Sequence, residues 1–364
     1  MTSLHNLFEM QGQSPWIDNL QRSHLRDGTL RRHISDGVRG LTSNPTIFQK
    51  AIQGGTDYDE QFASLVADHV STEDAYWSLV VQDIQDACDI FSDLYRTSHG
   101  QDGFVSVEVD PRLAKDSSAT ISQGLLLASR IDRPNVMIKV PATQEGLAAV
   151  TELTAAGVSV NVTLIFSLDR YRQVLEAHLQ GLEKRLERAE PIDSVSSVAS
   201  FFISRVDSLV DPQLATLPSG PQLSGRTAIN QAKLAYEHFV AVSTSARWKR
   251  IAENGGRLQR PLWASTSTKN PAYPDTLYVD ELIGPQTVNT LPENTLIAFS
   301  DHGKVARTID AGLEESRREL SQIEAEGVSL TAVALQLEVE GVQSFETSFA
   351  DLLDTLEAKR RSIL

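Results

Sequence analysis

Eight short apolar, β-branched segments, separated by longer amphipathic stretches, constrain this chain more than any other feature. They are Pro15–Asn19, Val38–Thr42, Phe104–Val109, Val136–Val140, Val158–Leu164, Val198–Ile203, Pro261–Thr266 and Thr287–Leu291. Between them lie helical patterns such as Ala142–Ala156 and Asp169–Arg188. In the second, Val174, Leu175, Leu179, Leu182 and Leu186 recur close to the i, i+3/i+4, i+7 rhythm of an amphipathic helix. Strands alternating with helices imply parallel βαβ units. Eight such strands fit a closed (β/α)8 barrel, the TIM-barrel architecture, whose functional residues gather at the C-terminal ends of the strands. An open doubly wound sheet has the same periodicity, so closure is an expectation rather than a reading. Beyond the eighth segment, Val305–Leu320 and Thr331–Ile363 look helical. One domain over residues 1–364 is therefore expected, with 293–364 a helical extension packed on the barrel.

Composition narrows the class. A formal net charge of −15 argues against a nucleic-acid partner, which would need a basic stripe to neutralise phosphates. It does not argue against small anionic substrates, because a few local cations can hold one phosphate inside an acidic protein. The single cysteine, Cys88, precludes an internal disulfide and fits a reducing compartment. It falls in the helical-looking stretch Val80–Tyr95 and reads as an inert buried thiol. The first residues show neither a basic region nor an apolar signal core, and no apolar run approaches a membrane span. A soluble cytoplasmic location is expected, with no membrane partner. The eight histidines are scattered and no cysteine cluster exists, so no metal is expected. The glycine pairs Gly54-Gly55 and Gly255-Gly256 form no nucleotide loop, so no cofactor is expected. Arg247, Lys249, Arg250, Arg257 and Arg260 precede the seventh segment and read as a solvated helix face more readily than as a second anion site.

Polar residues collect at the ends of the candidate strands. Asp18 follows the first, and Thr42-Ser43-Asn44-Pro45 follows the second. Glu108 and Asp110 close the third, Lys139 closes the fourth, and Asn161 and Thr163 belong to the fifth. Ser200 and Arg205 come from the sixth, and Ser265 to Lys269 from the seventh. Lys139 stands inside the apolar run Met137-Ile-Lys-Val-Pro-Ala-Thr143. A free lysine titrates near ~10.4 and is unreactive at neutral pH until desolvation or a cationic neighbour frees its lone pair. It therefore reads as a candidate Schiff-base nucleophile. The alternative is a strand-end lysine whose stem packs on the core while its head reaches water. Glu108 points to the opposite face from Val107 and Val109, where an ionised carboxylate needs partners. Two carboxylates, a lysine, amides, hydroxyls and distal cations make up a set suited to Schiff-base chemistry on a phosphorylated sugar.

Several segments resemble the signatures of the transaldolase family, and in the family's order. They are Gly37-Val-Arg-Gly-Leu-Thr-Ser-Asn-Pro-Thr-Ile-Phe48, Val107-Glu-Val-Asp-Pro-Arg-Leu113, Met137–Thr143, Asn161-Val-Thr-Leu-Ile-Phe-Ser167 and Ser200-Phe-Phe-Ile-Ser-Arg-Val206. The resemblance runs from about Asp18 to Pro292, and the long C-terminal region is similar to that of the larger bacterial subgroup. It implies a class I aldolase-type barrel without a metal, moving a dihydroxyacetone unit between sugar phosphates.

By that resemblance Lys139 is the Schiff-base lysine and Asp18 the acid/base at the C4 hydroxyl. Glu108 works through a bound water, which Thr163 helps to position. Asn44 and Asn161 hold the dihydroxyacetone hydroxyls, and neutral amides suit that task because they add no charge beside the lysine. Ser200, Arg205, Ser265 and Lys269 match the region gripping the terminal phosphate. Read without the family, Asp18 is a solvated acid, Glu108 a salt-bridged strand residue, Asn44 a turn-former before Pro45 and Thr163 an ordinary strand residue. One departure stands out: a short Ala-Ser-x-Arg run becomes Ala264-Ser-Thr-Ser-Thr-Lys-Asn270, so a lysine replaces the expected arginine near Ser267. A lysine supplies charge but not the planar fork. The resemblance implies the transaldolase reaction, from sedoheptulose 7-phosphate and glyceraldehyde 3-phosphate to erythrose 4-phosphate and fructose 6-phosphate. Its rivals are an aldolase releasing free dihydroxyacetone from fructose 6-phosphate, and a non-catalytic sugar-phosphate-binding barrel. Monomer and homodimer are both compatible with the sequence.

Overall fold

A computed structural model describes residues 2–218 and 220–363. Its strands are β1 (Gln13–Ile17), β2 (Gly40–Thr42), β3 (Phe104–Glu108), β4 (Val136–Pro141), β5 (Val160–Ile165), β6 (Ser197–Phe202), β7 (Arg260–Ala264) and β8 (Thr287–Leu291). They pair in chain order, all parallel, and β1 pairs with β8 from Gln13↔Thr287 to Ile17↔Leu291, so the sheet closes into a barrel. The closed form of the expected fold is the one observed. Nearly every strand residue is buried, as it must be when helices cover the outer face and side chains fill the interior. Gly40 is required by that filling: a Cβ there would lie 2.5 Å from the indole of Trp16.

The N-terminal end of the barrel is closed by charge. Asp102, sealed from solvent, accepts from Arg39 Nε at 2.7 Å, Ser14 Oγ at 3.0 Å and Arg260 Nη2 at 3.2 Å. The basic stretch before β7 is thus not one helix face. Arg247 on the helix Ala246–Glu253 pairs with Glu176 and Glu183, at 2.6 and 2.7 Å. Lys249 and Arg250 are exposed on that helix. Arg257 and Arg260 lie beyond it, and Arg257 donates to the carbonyls of His99 and Gly100.

The C-terminal region departs from expectation at its start. Val305–Gly312 is not helical, and the helix begins at Leu313. Tertiary hydrogen bonds hold the segment and its approach in place: Thr308 and Ile309 N–H both donate to Ile283 O, and Lys304 N–H donates to Asp280 Oδ1 at 2.9 Å. Ile309 is fully buried as a result. The last helix, Leu330–Ile363, packs on the helices Pro45–Gln53 and Thr72–Thr97, with Phe345, Phe349, Leu352 and Leu356 buried along it. Phe349 meets Tyr76 edge-on, with centroids 5.2 Å apart. Gly341 of this helix lies so close to β5 that a Cβ would stand 2.9 Å from the Leu164 side chain. The helix therefore runs over the C-terminal ends of the strands. Among the described residues, no helix is long and apolar enough to cross a membrane.

Candidate active site

Strand register builds the centre of the site. Glu108 on β3 pairs with Lys139 on β4, which pairs with Asn161 on β5. In-register residues on parallel neighbours share a face, so a carboxylate, an ammonium and an amide form one row pointing inward. Lys139 Nζ donates to Ser43 O at 2.9 Å and lies 3.3 Å from Glu108 Oε2. The two side chains are 6 % and 4 % exposed. Burial pushes the Glu108 carboxyl above its ordinary range, and the Lys139 charge pulls back against it.

A cavity of about 140 Å³ opens beside this row, at the C-terminal end of the barrel. Lys139, Asp18, Asn44, Thr163, Ser200, Arg205, Ser265, Ser267 and Lys269 all line it. Asp18, just past β1, accepts from Thr42 Oγ1 at 2.7 Å. Burial raises its carboxyl, opposed by Lys139 and by the Thr42 hydrogen bond. Glu108 and Asn161 sit at the edge of this space rather than on its wall. Glu108 faces a separate crevice of about 10 Å³ between Asn44, Tyr76, Trp77 and Phe349, the size of a single water. Asn161 is fully buried, donating from Nδ2 to Ser106 Oγ at 3.1 Å and accepting from Ser200 Oγ at 2.6 Å. Thr163 Oγ1 is sealed from solvent with no protein partner, an unusual state for a buried hydroxyl.

Asn44 lines the cavity and also caps a helix. Its Oδ1 caps the helix Pro45–Gln53 by accepting from Ile47 N–H at 3.0 Å, which leaves the amide N–H groups facing the cavity. The opposite wall is cationic. Arg205, in the helix Ser204–Leu214, lies over Phe202 and Phe345 at 5.3 and 6.0 Å, and no carboxylate pairs with it among the described residues. Burial pulls its guanidinium below the ordinary range. Lys269 donates to Ser267 Oγ at 2.7 Å, and burial, then the Arg205 and Lys50 charges, lower its ammonium. Two cations that repel each other across a small cavity make a receptor for a dianion.

Thr290 and Ser106 were not singled out in the sequence, and Thr42 stood out only as part of the polar run after the second strand. Thr42 Oγ1 lies 2.6 Å from Thr290 Oγ1, linking the Asp18 wall to β8. Phe345 was also missed, and it lines the cavity from the last helix. A larger cavity of about 460 Å³ opens at the N-terminal ends of the strands. Its arginines, Arg257 and Arg260, are already occupied by backbone carbonyls and Asp102, and it holds no paired acid and nucleophile.

The sequence profile of the transaldolase/fructose-6-phosphate aldolase family matches residues 15–356. The chain is 48% identical over 360 residues to a protein of Saccharopolyspora erythraea named transaldolase, covering 98% of both chains. It is 49% identical over 349 residues to a transaldolase of Parafrankia sp., covering 95% of both. It is 45% identical over 363 residues to transaldolase 2 of Streptomyces avermitilis, covering 99% of this chain and 98% of that one. Register, cavity chemistry and full-length similarity agree, and the chain belongs to the transaldolase/fructose-6-phosphate aldolase family.

Proposed function

We propose that this protein is a transaldolase acting in the cytoplasm on phosphorylated sugars. It carries a dihydroxyacetone unit from sedoheptulose 7-phosphate to glyceraldehyde 3-phosphate, as in the non-oxidative pentose phosphate pathway. The observation carrying this reading is the Lys139–Glu108 pair, 3.3 Å apart and buried beside a cavity with Asp18 on one wall and Arg205 and Lys269 on another.

Each step has a group suited to it. Lys139 must be neutral to attack the C2 carbonyl of the ketose, and Glu108 is the nearest carboxylate to take its proton. Burial raises the Glu108 carboxyl, so it holds that proton until the carbinolamine loses water, and a water relays it with Thr163 Oγ1 as a polar contact on the cavity wall. The resulting imine withdraws electrons from C3. Asp18 then takes the C4 hydroxyl proton as C3–C4 breaks, and the aldose phosphate leaves. The enamine stays on Lys139 until an acceptor aldehyde arrives, with the Asn44 amide and the Ser106–Asn161–Ser200 chain beside its hydroxyls. Arg205, Ser265, Ser267 and Lys269 hold the phosphate at the far end, which places the bond to be cleaved over Asp18.

Borohydride reduction in the presence of fructose 6-phosphate, followed by peptide mass mapping, tests this reading. A three-carbon adduct on Lys139 is expected. No adduct from folded protein that binds the sugar would overturn it in favour of a binding barrel. The family also includes fructose 6-phosphate aldolases. Free dihydroxyacetone released at the full rate without an acceptor aldehyde would favour that activity.

A further inference from the structure

The two cations of the anion site come from different segments. Arg205 belongs to the helix Ser204–Leu214, and Lys269 to the loop that follows β7. Both face one cavity, and the Arg205 charge adds to the burial that lowers the Lys269 ammonium. Something must hold these segments together when no dianion is bound.

The start of the loop is tied to the start of the helix. Ser204 N–H donates to Ser265 O at 3.0 Å, and the two hydroxyls are 2.9 Å apart. Ser265 adopts φ +55°, a strained conformation for a residue with a side chain. Past Lys269 the chain turns: Ala272 N–H donates to Asn270 Oδ1 at 2.9 Å, and Tyr273 N–H to Asn270 O at 3.1 Å. Tyr273 Oη then donates to Asp211 Oδ2 at 2.7 Å, and further on Tyr278 Oη donates to Asp207 Oδ2 at 2.9 Å. Asp207 and Asp211 are four residues apart, on one face of the Arg205 helix. Their other oxygens are fixed by backbone, Asp207 Oδ1 accepting from Ala228 N–H at 2.8 Å and Asp211 Oδ1 from Gly225 N–H at 2.9 Å. Gly225 has φ +73°, and a Cβ there would lie 2.8 Å from Tyr273 Cζ, so the tyrosine ring is seated against bare backbone. The loop carrying Ser265, Ser267 and Lys269 is thus anchored at both ends to the helix carrying Arg205.

We propose that Asp211 and Tyr273, backed by Asp207 and Tyr278, are positioning residues that hold Arg205 and Lys269 at a fixed separation around one phosphate group. The proposal rests on the reading of this cavity as a sugar-phosphate site. None of the four reaches the reacting carbons. They act by preparing the cation pair in advance, so that a phosphate meets a formed receptor instead of ordering a loop as it binds.

The test separates phosphate recognition from chemistry at Lys139. Inorganic phosphate binding is measured by calorimetry on wild type, Tyr273→Phe, Asp211→Ala and Arg205→Gln. In parallel, Lys139 is reduced with borohydride in the presence of phosphate-free dihydroxyacetone. Tyr273→Phe is expected to weaken phosphate binding about threefold to tenfold while the dihydroxyacetone adduct and Tm stay at wild-type levels. Asp211→Ala removes the same bond from the other side and should weaken phosphate at least as much. Unchanged phosphate binding in both variants, with Arg205→Gln weakened, overturns the clasp and leaves the site reading intact. Equal losses of phosphate binding, adduct and Tm would mean a general structural role and also overturn it. Unchanged binding in Arg205→Gln would overturn the anion site and the clasp together.

Discussion

Glu108 and Lys139 are register partners on adjacent strands, and their charged ends meet at 3.3 Å with almost no exposure to solvent. Glu108 Oε2 makes no aligned hydrogen bond, so the contact is an ion pair at the long end of the range, loose enough for the lysine to turn toward a carbonyl carbon. Removing one member of a buried pair costs about 3–5 kcal/mol while the other stays charged. In Lys139→Met, Glu108 can escape that cost by protonating, since burial already raises it. Turnover should vanish, and the loss of Tm relative to wild type should be small at pH 5 and larger at pH 8. Adding Glu108→Gln should remove most of that pH dependence. Turnover in the single variant would exclude Lys139 as nucleophile.

Asp18 is expected to act after the imine, not before it. Asp18→Ala should slow C3–C4 cleavage by roughly 10²–10⁴ while leaving imine formation in place. Borohydride should then trap the intact six-carbon sugar on Lys139 in place of the three-carbon unit, a shift that peptide mass resolves directly. A wild-type share of three-carbon adduct would remove Asp18 from the cleavage step.

Asp207 offers a pH test away from the reacting atoms. Burial pushes its carboxyl up to about 7 from an ordinary 3.8, with Asp211 adding to the rise and the Ala228 and Tyr278 hydrogen bonds opposing it. Between those values the folded protein keeps a proton that the unfolded chain has released, so this group lowers stability as pH rises from 4 to 7. Asn can accept from Ala228 N–H and donate to Tyr278 Oη, so Asp207→Asn should fold. Its Tm minus that of wild type should widen by several degrees between pH 4 and pH 7, then level off. A constant difference across that window would contradict the raised carboxyl.

Phe345 is nearly buried, lines the cavity and lies 6.0 Å from the Arg205 guanidinium. Phe345→Ala should cost about 3–5 kcal/mol of stability and raise KM for sugar phosphates more than it lowers kcat, because it frees Arg205 without touching Lys139. Unchanged KM in a steady-state assay would reduce Phe345 to a packing residue.

Lys139, Glu108 and Asn161 could be found in the sequence because each is a polar residue inside a β-branched run, where the period of two puts it opposite its apolar neighbours. The barrel itself could be found for the same reason, through eight repeats of one pattern. What the sequence hid depends on long-range placement. Nothing local marks Phe345, an aromatic on a helical stripe that reads as core until the helix is seen over the strand ends. The helical pattern from Val305 was overridden by hydrogen bonds to Asp280 and Ile283. Arg257 and Arg260 looked like neighbours of Arg247, but the chain leaves the helix before reaching them and carries them to the barrel floor. Asp207 and Asp211 sit beside the Ser200–Val206 signature, yet their tyrosine partners are more than sixty residues away.

The last helix gives the site an order of assembly. Asp18 and Phe345 face the same cavity although most of the chain separates them. A ribosome that has released β1 through β8 has delivered Lys139, both acids, both cations and Phe202, but not Phe345. The chamber closes on that side only when Gly341 settles against Leu164 and Phe345 arrives over Arg205.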